Sequence, residues 1–189
     1  MAETMTRMSR SRRRTQLLDV AAELVLTAGV GAVTMERLAE RAGVSKALVY
    51  LHFDNAAAVL AELYHREVTT LGEQVAIAVE GPDTPEVKLR AAVSTYFDVV
   101  THRGALFTVL APGGSTDLTQ SDGSRIGQRF VTDLFQEIFG LPNRRARTAA
   151  TVFLGALNGG VEAWALGELT RAEVEEAVVS VALHLASNR

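Results

Sequence analysis

Residues 34–53 read TMERLAERAGVSKALVYLHF, and their spacing decides the fold of the chain's front. Thr34 suits an N-cap, and Glu36 falls in the first turn, where the positive helix end favours an acid. A short helix over 35–41 is predicted to bury Met35, Leu38 and Ala39. Gly43 then supplies a turn, and Ser45 caps a second short helix over 46–52. Two short helices joined by Ala42-Gly43-Val44 fit a helix-turn-helix: glycine permits the turn, Ala39 permits close helix contact, and Val44 plugs the angle. An ordinary helical hairpin inside a core has the same spacing, so the pattern alone leaves both open. In the first case the second helix can lie in a major groove and offer its N-terminal residues to base edges. Ser45 and Lys46 then face the DNA backbone.

Helical spacing continues on both sides. Upstream, Leu17, Ala21, Leu24, Val25 and Ala28 share one face of a helix over 12–27, which Gly29 and Gly31 end. Downstream, Asn55 caps a helix running to the Gly81-Pro82 break, long enough to connect two domains. Thr84 and Glu86 open another that stops at Gly104, and a short apolar piece over 105–110 precedes the loop APGGSTDLTQSDGS. A helix over 124–139 aligns Ile126, Phe130, Leu134 and Ile138, and Pro142 starts one over 143–166. Thr170 with Glu173 forms a capping box for a last helix that aligns Val174, Val178, Val181 and Leu185. There is no strand alternation and no internal repeat. The expected class is all-α, with about nine helices.

Composition excludes several functions. The chain has 189 residues, 48% of them hydrophobic and 22% charged, which provides for a sizeable core. It has no cysteine, hence no disulfide, no thiolate zinc site and no cysteine nucleophile. Asp19 and Glu23 interrupt what could otherwise be a signal core, and no stretch reaches the roughly 18 apolar residues of a membrane helix. We therefore expect a soluble, cytoplasmic protein with no membrane partner. His52, His65, His102 and His184 show no ligand-like i, i+4 pairing, and APGGSTDLTQSDGS lacks the lysine and preceding strand of a phosphate loop. No catalytic set, metal site or cofactor is expected.

The net charge is −3, but its distribution matters more than its sum. Up to Arg66 there are nine Lys/Arg against seven Asp/Glu, and beyond it ten against fifteen, giving +2 and −5. Charges act over a Debye length of roughly 8 Å in physiological salt, so a local basic face can bind phosphates despite an acidic remainder. Arg7, Arg10, Arg12, Arg13 and Arg14 sharpen the asymmetry. A basic head on an acidic body points to nucleic acid.

The first 60 residues resemble the DNA-binding domain of the tetracycline-repressor (TetR) family of bacterial transcriptional regulators. The resemblance lies in Leu17, Ala21, Gly29, Thr34, Leu38, Ala39, Ala42, Gly43, Val44, Ser45, Lys46, Tyr50 and Phe53. It implies three units: a flexible basic arm over 1–11, a helix-turn-helix domain over 12–54, and a helical ligand-binding and dimerisation domain over 55–189. It also implies a homodimer on palindromic double-stranded operator DNA, most often a repressor released by a small apolar effector. A helical interaction module that has lost specific DNA binding is the alternative. Leu48 replaces a common hydroxyl and offers apolar contact to a thymine methyl, and Asp54-Asn55-Ala56-Ala57 lacks a common phosphate-binding lysine.

The candidate DNA contacts are Arg12, Arg13, Arg14, Thr34, Ser45, Lys46, Ala47, Leu48, Tyr50 and His52. Lys46 and Tyr50 would meet phosphates, and Thr34 either meets phosphate or only caps its helix. His52 either touches DNA or caps the recognition helix, and the arginines either track the backbone and minor groove or form a solvated tail. The candidate ligand contacts are Phe97, His102, Phe107, Phe130, Phe153, Asn158 and Trp164, with core filling as the competing role for the aromatics. Asn158 lies among Phe153, Leu154, Leu157 and Val161 and needs a protein or ligand partner if buried. Asn158-Gly159-Gly160 also allows close helix approach. The last two helices carry more apolar surface than one bundle side buries, which fits a four-helix dimer interface.

Overall fold

The structure, a computed structural model, describes residues 8–81, 83–110 and 122–187, with only the backbone described at 104, 105, 107–110 and 122–124. Eight α-helices make up these residues: α1 (Arg10–Ala28), α2 (Met35–Ala42), α3 (Lys46–Tyr50), α4 (Ala56–Ala78), α5 (Pro85–Leu110), α6 (Asp122–Phe139), α7 (Asn143–Ala165) and α8 (Arg171–Ser187). A single 3-10 turn, Val30–Ala32, links α1 to α2. The all-α class is thus observed, without strands among the described residues.

Local chemistry sets most boundaries. The Thr34 hydroxyl accepts from the Arg37 N–H at 3.2 Å, and Ser45 accepts likewise from Leu48 at 3.2 Å. Asn55 caps α4 through Ala58 N–H at 2.9 Å. Thr170 and Glu173 exchange both bonds of a capping box, at 2.8 and 3.3 Å. Gly43 takes φ 65° and ψ 37°, a left-handed conformation that a side chain would oppose, and so turns α2 into α3.

Two expectations differ. α1 begins two residues earlier than expected, because Ser9 accepts from Arg12 N–H and caps it; Arg10 and Ser11 are therefore helical, and residues 1–7 of the expected arm lie outside the described residues. α5 does not stop at Gly104 but kinks at Arg103 (φ −135°, ψ 17°) and continues, so the apolar piece over 105–110 is its last turns. The kink has a polar anchor. Glu67 on α4, only 4% exposed, meets Arg103 at 3.1 Å and Arg66 at 3.2 Å, and Arg66 reaches Asp19 on α1 at 2.6 Å.

Two lobes share α4. In the front lobe, α1, α2, α3 and the first half of α4 enclose Leu17, Leu38, Val49, Phe53, Val59 and Leu63, with Leu106 of α5 closing the base. In the rear lobe, α5 to α8 pack around Leu89, Phe97, Phe135, Phe153 and Val178. Gly160 lets α7 and α8 approach closely: a Cβ there would stand 2.4 Å from Val174 Cγ1.

Candidate functional site

α3 stands on the outside of the front lobe, held by its inner face. Val49 is fully buried and Phe53, just beyond the helix, is 3% exposed. Ser45, Lys46, Ala47 and Tyr50 face solvent, Leu48 is half-buried, and Leu51 is 69% exposed. Thr34 sits half-buried at the N-terminus of α2. The outer row therefore presents one ammonium, one phenol and small or apolar groups.

Lys46 is not idle in the free protein. Its ammonium donates to Glu36 of α2 and lies 5.9 Å from the Tyr50 ring centroid. The Glu36 bond holds the Lys46 pKa up and the Glu36 pKa down. A phosphate reaching Lys46 has to replace this exposed, salt-screened pair.

The three arginines of α1 divide. Arg12 is exposed, and Arg13 is half-buried with a 2.5 Å bond to Gln16. Arg14 turns inward: its Nε donates to Glu62 Oε1 at 2.6 Å, its Nη2 to Glu62 Oε2, and its Nη1 to the His52 carbonyl. Its guanidinium also covers the Phe53 ring at 4.3 Å. The fork of Arg14 thus fastens α1, the segment that ends α3, and α4 together. His52 is half-buried, and burial, followed by Arg10, Arg14 and Arg13, lowers its pKa.

The rear lobe holds a cavity of about 310 Å³ between α4, α5, α6 and α7, within the range of small-molecule sites. Of the residues expected there, Phe130, Phe153 and Asn158 line it. Phe97 and Trp164 instead pack edge to face in the core, with centroids 5.8 Å apart. His102 lies in a separate groove beside Glu67 and Arg103, with its Nδ1 2.8 Å from the Asp98 carbonyl oxygen. The Phe107 side chain lies outside what is described.

Sequence reasoning missed Tyr64, Leu71 and Val75 of α4, Tyr96 of α5, and Gln128 and Thr151 at the α6–α7 seam. Burial raises the pKa of Tyr64, and burial plus the neighbouring Tyr64 raises that of Tyr96, so both phenols stay neutral donors. The readable signal was Gly72, a helix-interior glycine: a Cβ there would lie 3.3 Å from the Phe130 ring.

A family model described as bacterial regulatory proteins, tetR family, matches residues 17–63, the span from the core face of α1 to the first turns of α4. Residues 17–63 thus carry the tetR-family helix-turn-helix pattern. FasR of Mycolicibacterium smegmatis, an HTH-type transcriptional activator, is 36% identical over 96 residues, 51% of this chain and 44% of that protein. KstR2 of Rhodococcus jostii, an HTH-type transcriptional repressor, is 33% identical over 92 residues, 48% and 45% of the two chains. The chain thus spans about half the length of those curated relatives. A tetR-family regulator from Streptomyces coelicolor has the same fold, with a TM-score of 0.77 at 23% identity, covering 94% of this chain and 82% of its own. So does FadR from Bacillus subtilis in complex with stearoyl-CoA, with a TM-score of 0.69 at 22% identity over 92% and 97% of the chains. Among the described residues, no helix is long and apolar enough to cross a membrane.

Proposed function

We propose that the chain is a homodimeric transcriptional repressor that leaves a palindromic operator when a small apolar effector fills the rear cavity. The observation that carries this reading is the path of α4. Glu62 of α4 holds Arg14 beneath the recognition segment and Arg66 holds Asp19, while Tyr64, Val68, Leu71 and Val75 of the same helix form a cavity wall. A ligand that displaces α4 therefore pulls on the element that seats α3.

Lys46, Tyr50 and the N-termini of α2 and α3 serve the phosphates, Ala47 and Leu48 meet base edges, and Arg12 and Arg13 reach the flanking backbone. The exposed apolar residues Val152 of α7 and Leu166 and Leu169 just beyond it favour pairing of the α7–α8 face with its copy. Two-fold pairing sets the two copies of α3 about one DNA turn, roughly 34 Å, apart. Coupling of about 1–3 kcal/mol between cavity and operator changes affinity some 5–150-fold. Stearoyl-CoA bound to FadR, a protein of the same fold, supports an effector with a long apolar chain.

The test is selection of DNA from a random pool, followed by anisotropy with the selected duplex across a salt series, with and without saturated acyl effectors. A palindrome, a steep salt slope and weaker binding with effector are expected. Binding without sequence preference would instead make the protein a helical interaction module.

A further inference from the structure

The seam between α6 and α7 carries a second, quite different depression beside the apolar cavity. Arg125, Gln128, Arg129 and Thr132 of α6 and Asn143 and Arg147 of α7 line it, with Asp133 as its acidic member. Gln128 belongs to both walls. Its Nε2 donates to the Arg147 carbonyl and to the Thr151 hydroxyl, each at 3.2 Å, so one clamped amide separates the apolar space from the arginine groove.

Two of the guanidiniums in this groove stand apart from the ion pairs of the described residues. Arg129 and Arg147 are exposed, and neither guanidinium has a carboxylate partner among the described residues. Arg14, Arg66, Arg90, Arg103 and Arg171, by contrast, all pair with acids. α7 also starts without a side-chain cap and without an acid in its first turn, so its free N–H groups add positive potential beside Asn143. Two unneutralised guanidiniums beside a mostly apolar space match a molecule with an apolar body and an anionic end.

We infer that the effector is an anionic amphiphile, its chain in the α4–α7 cavity and its phosphate or carboxylate head on Arg129 and Arg147. This deepens the proposed function and rests on the cavity being a ligand site. Gln128 marks the passage between chain and head.

Isothermal titration of the full-length protein with decyl phosphate, decanoate and 1-decanol tests it. Both anions, or whichever one matches the natural head, are expected to bind at least about tenfold tighter than the alcohol, as charge-assisted bonds would give. Raising salt should narrow that gap. The double variant Arg129→Gln, Arg147→Gln changes only exposed side chains; it should bring the anions within about twofold of the alcohol and leave the alcohol's affinity unchanged. An alcohol that binds wild type as tightly as both anions, or a gap that survives the double variant, overturns the head-group site while the cavity stands. Failure of all three probes to bind overturns the cavity reading and this inference with it.

Discussion

Leu38 of α2 and Leu134 of α6 are both buried leucines on amphipathic helices, yet their surroundings differ. Leu38 is fully enclosed by front-lobe side chains, whereas Leu134, 6% exposed, has the rear cavity on one side. A buried side chain is held by many weak contacts, and one facing a void lacks part of them. The front lobe is filled around the buried face of α3. The rear lobe is left partly empty along α4.

The largest effect follows directly. Leu38→Ala should cost about 3–5 kcal/mol, near the upper end for a leucine that leaves a new cavity, and Leu134→Ala about 2–3 kcal/mol, because there a void already exists. Urea denaturation of both variants at one protein concentration measures the difference. Equal losses would break the contrast between the lobes.

Two adjacent glycines sharpen it within the rear lobe. Gly160→Ala forces a methyl to within 2.4 Å of Val174 Cγ1, whereas nothing lies within 4 Å of a Cβ at Gly159. Overpacking at Gly160 should cost about 1–3 kcal/mol. Gly159→Ala should gain up to about 1 kcal/mol from helix propensity. Thermal midpoints read both, and an unchanged midpoint for Gly160→Ala would show that the α7–α8 contact yields easily.

What the sequence disclosed follows the same division. Caps, turns and the amphipathic faces of α1 and α2 involve partners three to eleven residues apart, so Thr34, Gly43, Ser45, Asn55 and the Thr170–Glu173 box were readable directly. The start of α1 was misplaced because a run of arginines looked like an arm, although Ser9 is a competent cap. The inward role of Arg14 was not readable, since Glu62 lies 48 residues away. The cavity was only half readable for a similar reason. Aromatic residues at helical spacing fill cores and line ligands alike, and only the tertiary packing separates Phe97, set edge to face against Trp164, from Phe130 and Phe153, which face the void.

The smallest expected effect concerns pH and the front lobe alone. His52 closes the recognition segment with its Nδ1 buried and without a partner, and burial, then Arg10, Arg14 and Arg13, lower its pKa below the ordinary value near 6.5. The unfolded chain therefore binds this proton more readily than the folded one. Stability attached to neutral His52 is fully present above about pH 6.5 and declines as the pH falls through the folded value. His52→Gln removes that dependence, so its urea midpoint should fall less than wild type's between pH 7.5 and pH 5.5. The two proteins differ at this position alone, so the difference between the two slopes isolates His52. Identical slopes would mean that the imidazole is as free to take a proton in the folded lobe as in water.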